Sequence, residues 1–395
     1  METLCFEGNY TKRFARSREF FHRCVEEELD RRVQEFYNEL LREEFKLQSG
    51  ADWYERNDQR VDRRNGHYWR NLVTSRGIIS LKVPRGEKKK YKFGLFEKHQ
   101  RKTKKFEEIV IDGILKGLSS RKARDFFGNM FGSGTISHQA AVSTLKKFDL
   151  ELEKWRKRKI RNDAVVVVLD AVYFKGAISS YKYAKPVLFG YAIYADGSEE
   201  VLDYEIVQGE SLAAWHRFCA KLSDRGLKDI QLVVHDDNAA TSEAISLVWP
   251  KALDQQCIFH ILKNMNKKLI GCVDKKKIIA DASLVYQAQS EEELYRLAAQ
   301  FQKKWKKYMR HGAIKYFFKM LPKSIAYLQL PKKYWSLAKT SNRLERLFEE
   351  LKRRIKVFRR FPNPQSCRRW VYALLKEELN KVNLDCSLLE SQQSS

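Results

Sequence analysis

The sequence predicts a multidomain α/β protein: a helical and β-ribbon N-terminal region, then a mixed-sheet domain interrupted by an all-α insertion. Three observations predict it. The run Ala164 to Ala171, AVVVVLDA, reads as a strand buried on both faces within a helix-covered sheet, and a second apolar run, Ile230 to Val234, repeats the signal. Helical periodicity fills 15–47, 104–157 and 263–330, on either side of these strands. Between the first two helical stretches, residues 52–85 alternate with period two and carry turn residues.

Charge narrows the function classes. With 76 basic against 50 acidic residues the formal charge is +26, and such self-repulsion points to a polyanionic partner, nucleic acid first. The charge falls in blocks: −2 over 1–50, +15 over 51–163, −5 over 164–262 and +18 over 263–395. An acidic island between basic flanks suits carboxylates that hold metal ions beside side chains that hold phosphates. The cysteines at 5, 24, 219, 257, 272, 367 and 386 are scattered, odd in number and without a Cys-x-x-Cys, a reduced intracellular pattern. No apolar run approaches the ~18 to 20 residues of a membrane span, and the N-terminus lacks a secretory layout. The expected location is the cytoplasm, at the nucleoid when bound to DNA. No Gly-x-x-x-x-Gly-Lys-Ser/Thr is present, so ATP use is not expected.

In chain order, residues 1–50 are read as an amphipathic helical segment of balanced charge, with packing on the protein's own core and a dimer surface both open. Residues 51–100 are read as a basic β-ribbon and linker: Asn65-Gly66 as a turn, a strand to Thr74, a turn near Arg76-Gly77, and a strand to Pro84. Arg63, Arg64, Arg70, Arg76 and Arg85 stud it, as suits a DNA backbone or groove. Residues 101–160 show short helices at Phe106 to Lys116, Ser120 to Phe127 and His138 to Leu150, with Ser119 and Ser137 as caps and glycines between. That is a helix-turn-helix pattern, with Arg121, Lys122, Gln139, Ser143, Lys146 and Lys147 on its polar side.

The segment 161–262 carries the chemistry. A carboxylate ending a buried strand is costly to desolvate unless it is solvated, hydrogen-bonded or bound to a cation, which makes Asp170 a candidate metal ligand; capping a turn is the plainer alternative. A hairpin (Val187 to Tyr194, Glu200 to Val207) and a helix (Leu212 to Leu222) follow, and the next strand ends in Asp236 and Asp237. Asp237 or Asn238 can cap the helix after it, which leaves Asp236 without that role. Gln255 to His260 is read as a short strand delivering Cys257 and His260; Cys-x-x-His is half a zinc site, but no second half is visible, so a packing or supporting role is expected. The insertion, 263–330, is helical, and its Trp305 and Tyr308 among lysines face either bases or a core.

Residues 331–385 return to the catalytic domain, with 386–395 as a disordered tail. In TSNRLERLFEELKRR, Leu344, Leu347, Phe348 and Leu351 mark one helical face, with Ser341 or Asn342 as cap and Pro362 beyond its end. Glu349 and Glu350 have Arg353 and Arg354 four residues on, two arginines also expected to contact DNA, whereas Glu345 has the like charge Glu349 there. A carboxylate with no cation one turn along, flanked by Arg343 and Arg346, reads as a metal ligand in a phosphate-binding setting.

The succession RRNGHYWRNLVTSRGIISLKVPR, VVLDAVYFK, LVVHDDN, CIFH and TSNRLERLFEELKRR resembles the Mutator-like transposases of bacterial insertion sequences, in order from about residue 53 to 380. The resemblance implies a ribonuclease-H-like catalytic domain whose DDE triad is Asp170, Asp236 and Glu345, all of them metal ligands. It also implies an all-helical insertion in the 109 residues from Asp236 to Glu345. Cys257, His260, Asn342 and Asp237 belong to the same motifs; whether Asp236 or Asp237 is the second ligand stays open. The implied cofactor is Mg²⁺, with Mn²⁺ as substitute, two ions per site. Two-metal carboxylate sites suit phosphodiester cleavage and transesterification, because the transition state spreads charge over phosphate oxygens. The implied partners are double-stranded DNA, as terminal inverted repeats and target, and a second copy in a homodimer on DNA; the route is copy-out, paste-in through a circular intermediate. A structure-specific nuclease of the same fold and a non-catalytic DNA-binding regulator are the alternative classes.

Overall fold

The computed structural model describes residues 18–393 except 53, 56, 89, 98–99, 175–184, 309–311, 340–341, 356–360 and 362, and leaves out the side chains at 18–21, 120, 342–344 and 379–393. Two compact units are present, Met1–Thr144 and Leu145–Ser395.

In the first unit, α1 (Arg18–Ser49) is a single helix, as expected of a stretch free of Gly and Pro. It lies against an antiparallel ribbon of β1 (Arg64–Thr74) and β2 (Gly77–Gly86). The period-two alternation puts Leu72, Ile79, Leu81 and Val83 on one face, where they pack with Leu41 and Phe45 of α1 and with Phe93 and Phe96. Each such burial is worth ~1.5 to 3 kcal/mol. Gln34 Nε2 donates to the Ser80 carbonyl at 2.8 Å and Asn38 Oδ1 accepts from Lys82 N at 2.8 Å, so the helix also binds the ribbon's edge. Asn65-Gly66 is not the expected turn: both residues lie within β1, where the register slips by one between Arg64 and His67. Gly66 takes φ +69°, which lets the strand bulge and continue.

Three helices complete the unit: α2 (Lys104–Leu115), α3 (Ser120–Phe131) and α4 (His138–Thr144). Thr103, Ser119 and Ser137 cap them by accepting from Phe106 N, Lys122 N and Ala140 N. Phe106, Phe127 and Phe131 pack ring to ring at their centre. The third helix was expected to reach Leu150 but stops at Thr144, followed by a 3₁₀ turn, Leu145–Lys147. Ser143 and Thr144 hydroxyls both donate to the Ala140 carbonyl, at 2.9 and 2.8 Å, and crowd the acceptor the next turn needs.

The second unit opens with α5 (Phe148–Lys157), which is tied to the C-terminal helix by Arg369 on Asp149 at 2.6 to 2.7 Å. Its sheet runs β5-β4-β3-β6-β7, from β3 (Ala164–Phe174), β4 (Lys185–Tyr194), β5 (Glu199–Ile206), β6 (Leu232–His235) and β7 (Leu253–Gln256). The first three strands form an antiparallel meander, and β6 and β7 add in parallel on the other side of β3. β3 continues for four residues beyond Asp170, contrary to expectation, because β4 pairs with it as far as Phe174.

Two helical layers cover the sheet. Val167 and Leu169 face α6 (Leu212–Asp224) and α7 (Ala239–Val248), whose Trp215, Phe218, Leu222, Ala244 and Ile245 share their core. The other face carries α13 (Asn342–Ile355) and α14 (Pro364–Gln393): Phe348 packs on Phe189 at 5.0 Å and the Tyr204 hydroxyl donates to the Arg368 carbonyl at 2.6 Å. Asp203 on β5 is fully buried, and Lys221 at 2.7 Å and Arg225 at 2.9 Å supply the cations that such burial requires.

Between the sheet and α13 lie α8 (Ile258–Lys268), α9 (Lys275–Val285), α10 (Glu291–Lys304), α11 (Gly312–Met320), several 3₁₀ turns and the short α12 (Trp335–Lys339). Trp305 is buried and its indole donates to Asp281 at 2.8 Å, so this ring serves the helical core; the half-buried Tyr308 ring lies 6.0 Å from it and its hydroxyl donates to Asp274 at 2.8 Å. QQCIFH is not one strand. β7 ends at Gln256, where its partner β6 ends, and α8 starts at Ile258, so His260 sits on a first helical turn. α14 runs to Gln393 across the stretch expected to be a disordered tail; CSLLESQQ has no Gly or Pro to stop it. Ser341 and Pro362 lie outside the described residues, as does the side chain of Asn342.

Candidate active site

Strand register builds the site. Leu169 pairs with His235 across the parallel β3/β6 junction, so Asp170 and Asp236 each follow a paired residue on adjacent strands. Neighbouring strands run ~4.8 Å apart, and in-register parallel positions share a face. Leu169 points into the α6/α7 core, as does His235, whose Nε2 meets Ser242 Oγ of α7 at 3.1 Å. The alternation therefore turns Asp170 and Asp236 to the opposite face, toward α13.

Glu345 arrives from above. Phe189 is the cross-strand partner of Asp170, and Phe348 of α13 packs on it. Glu345 lies one turn before Phe348 on the same helical face, over Asp170. Ligand atoms of Asp170, His260 and Glu345 lie within 4.8 Å of one another. His260 Nε2 is 3.4 Å from Glu345 Oε1, and the His260 Nδ1 is buried without a hydrogen-bond partner. Helix α8, starting directly after β7, delivers this imidazole to the carboxylates; the sequence signal for it was the Cys-x-x-His spacing. Cys257 is buried, its N–H donates to the His235 carbonyl at 2.7 Å, and it is not part of the His260 cluster.

The aspartates differ in their surroundings. Asp170 accepts from Ala171 N at 2.7 Å and Asp236 from Asp237 N at 2.7 Å. Burial first, then Glu345 and Asp236, push the Asp170 carboxyl up to about 7, while its own Ala171 N–H and Lys352 two turns beyond Glu345 pull it down. Burial lowers the His260 imidazole despite both carboxylates nearby. Asp237 is exposed, and Asn238, not Asp237, caps α7 by accepting from Ala240 N at 3.0 Å. The Asn238 amide also donates to Glu210 at 3.1 Å, and Glu210 accepts from Tyr173 OH at 2.5 Å, a brace beneath the aspartates that sequence reading missed.

The raised carboxyl has a thermodynamic consequence. A group protonated more readily folded than unfolded contributes stability that is full below its unfolded value near 4 and is lost as pH rises through about 7. Asp170→Asn is expected to raise the stability of the ion-free protein at pH 8, by on the order of 2 kcal/mol, and to change it little at pH 4. Thermal melts at both pH values check this; equal shifts would contradict it.

The basic side chains are distributed unevenly. Arg63 and Arg85 are exposed and Arg64 half-buried; Arg85 lies over the Tyr68 ring at 4.9 Å. Arg76 is exposed but paired with Asp30 at 2.8 Å and with Glu26. Arg70 departs from expectation. Its parity puts it on the packed face of the ribbon, with its guanidinium 3.8 Å from the Phe96 ring centre and a donor on the Gln100 carbonyl, so it does not join an open basic row. Arg121 and Lys122 on α3, Gln139 and Ser143 on α4, and Lys146 and Lys147 after it are exposed. Arg353 is exposed and held by Glu350 at 2.6 Å. Arg354 also departs from expectation: it is 5% exposed and enclosed by Glu350, Glu377 and Glu378 at 2.5 to 2.8 Å, a structural tie and not a DNA-facing group.

The family model described as "Transposase, Mutator family" matches residues 9–382. The transposase for insertion sequence element ISRM5 of Rhizobium meliloti (strain 1021) is 31% identical over 369 residues, covering 89% of this chain and 90% of that protein. The transposase for insertion sequence element IS406 of Burkholderia multivorans is 30% identical over 342 residues, covering 86% and 87%. Among solved structures, the Drosophila P element transposase strand transfer complex aligns with 68% of this chain and 91% of that one at 9% identity and a TM-score of 0.38, a likeness too low to position any element.

Proposed function

The chain belongs to the Mutator family of transposases, and from that premise we propose that Asp170, Asp236 and Glu345 are the DDE triad of a ribonuclease-H-like domain that cuts the ends of an insertion sequence and joins them to target DNA. The observation that carries this reading is that ligand atoms of Asp170 and of Glu345, from a helix that begins more than 100 residues later, lie within 4.8 Å of one another, while Asp236, one residue past the paired end of β6, is near enough for its charge to act on Asp170.

The donor set fits a divalent ion. Carboxylate oxygens are the ligands Mg²⁺ prefers, Mn²⁺ accepts them too, and a carboxyl pushed up to about 7 by burial and like charges is one whose ionised form a cation would restore. Two bound Mg²⁺ ions would supply charge for the attacking and leaving oxygens of the phosphodiester. The protein's own part is positional. The β3/β6 register holds the aspartates side by side, Tyr173 and Asn238 brace them through Glu210, and the Phe348 contact on Phe189 fixes the height of Glu345.

Binding of the terminal inverted repeats falls to the basic N-terminal segments. α3 and α4 form the helix-turn-helix, with Arg121, Lys122, Gln139 and Ser143 toward DNA, and the exposed Arg63 and Arg85 add phosphate contacts. A homodimer is proposed through α1, where Leu29, Phe36 and Leu40 are 41%, 58% and 41% exposed. With Val33 they repeat at the four-three-four spacing of a coiled-coil seam. In an antiparallel pair, Arg32 on one flank meets Glu39 of the second copy. The route is copy-out, paste-in, acting at the nucleoid. No helix among the described residues is long and apolar enough to cross a membrane.

Incubating the full chain with Mg²⁺ and duplexes bearing the ends of its own element tests the reading. Nicked ends and end-to-target joined products are expected. Nicks without joining would reduce the protein to a nuclease, and neither product with tight binding would reduce it to a regulator.

A further inference from the structure

His260 is the residue the triad does not use, and its surroundings are chemically unfinished. Its Nδ1 is buried with no partner, and its Nε2 is 3.4 Å from Glu345 Oε1, an ion-pair separation with no hydrogen bond formed. The nitrogen beside the carboxylate is Nε2, and a ring nitrogen this close to a carboxylate oxygen with no hydrogen bond to it suits an ion held between them. The geometry supplies the place: an imidazole nitrogen and oxygens of Asp170 and Glu345 lie mutually within 4.8 Å, a separation three ligands of one ion share. Asp236 follows in register beside Asp170 but is not one of those three.

We propose that His260 is a direct nitrogen ligand of the metal centre, joining Asp170 and Glu345 on one ion, with Asp236 serving mainly the other. The inference rests on the two-metal reading above and deepens it, since an all-oxygen site has become a mixed one. Two features support it. His260 is held in place, because it sits on the first turn of α8 directly after a strand that ends beside Asp236. The neighbouring Phe259 ring, 5.6 Å away, walls the imidazole without competing for its nitrogens.

The chemical consequence is ion selectivity. Imidazole favours first-row transition ions over Mg²⁺ and Ca²⁺, so Mn²⁺ should bind more tightly than Mg²⁺ by a margin that His260 supplies. Removing a supporting partner of a metal ligand already costs ~10- to 100-fold in affinity, so loss of a direct ligand is expected to cost at least about tenfold for Mn²⁺, and less for Mg²⁺.

The test is pulsed electron paramagnetic resonance on the full chain loaded with Mn²⁺, with no turnover required. A ¹⁴N modulation from a directly bound imidazole is expected in the wild type. His260→Asp restores a ligand without nitrogen, so it should keep Mn²⁺ bound and lose the modulation; His260→Ala should lose both the modulation and at least about tenfold in Mn²⁺ affinity. Circular dichroism confirms that each variant is folded. Mn²⁺ bound in an Asp170-dependent manner with no ¹⁴N modulation overturns this inference and leaves the carboxylate centre standing. Absence of Asp170-dependent Mn²⁺ binding overturns both.

Discussion

Alanine at Asp170, Asp236 or Glu345 is expected to lower cleavage and strand transfer by roughly 10³-fold or more while end binding stays at the wild-type level. The size of the effect follows from what each carboxylate does. Deleting one leaves an ion with too few protein ligands at the point where negative charge builds on the phosphate, and stabilising charge at that point commonly supplies most of the rate enhancement in such reactions. Binding should persist because the side chains assigned to the inverted repeats lie in other segments, on α3, α4 and the ribbon. A gel assay reading binding, nicking and joining on one labelled end checks all three at once. Full activity in any of the variants would remove that residue from the triad, and equal loss of binding would mean that the substitution damaged the fold.

The second large effect is on stability. Arg354→Met is expected to destabilise the protein by about 3 to 5 kcal/mol, because Glu350, Glu377 and Glu378 would lose the buried cation they share. Methionine fills much of the same volume, so the loss reports charge and not a cavity. The pair also depends on pH. Arg353 and then Arg354 hold the Glu350 carboxyl down to about 2, so its contribution is present above the ordinary carboxylate range and is lost as pH falls through about 2. Denaturant titration at neutral pH measures the loss. A change below about 1 kcal/mol would show that the three carboxylates are satisfied without Arg354. Since α13 carries Glu345, residual activity in the folded fraction shows whether the tie also sets the height of the glutamate.

Much of this arrangement was legible because carboxylates stood out against their local patterns. Asp170 and Asp236 follow apolar runs that only a sheet interior accommodates, and Glu345 lacks the i+4 cation that explains Glu350. Charge balance on a helix is a local property, and sequence shows it directly. What depended on distant partners was not visible. β3 runs past Asp170 because of the length of β4, and QQCIFH breaks after Gln256 because β6 ends there, which puts His260 on a helix. Asn65-Gly66 has the composition of a turn, yet a bulge meets the same need for positive φ. Arg70 and Arg354 were counted as DNA-facing from charge alone. Packing decides otherwise: strand parity sends the first onto Phe96, and two glutamates of α14 enclose the second.

The claim on which the account depends is that three carboxylates from distant parts of the chain share divalent ions. The most direct measurement is the anomalous scattering of Mn²⁺ in crystals of the protein bound to its element-end DNA. The account predicts two manganese peaks on the sheet face below α13, with oxygens of Asp170, Asp236 and Glu345 at ~2.0 to 2.3 Å from them. A DNA-bound structure with the Glu345 carboxylate more than ~10 Å from both aspartates, beyond reach of any shared pair of ions, would contradict it.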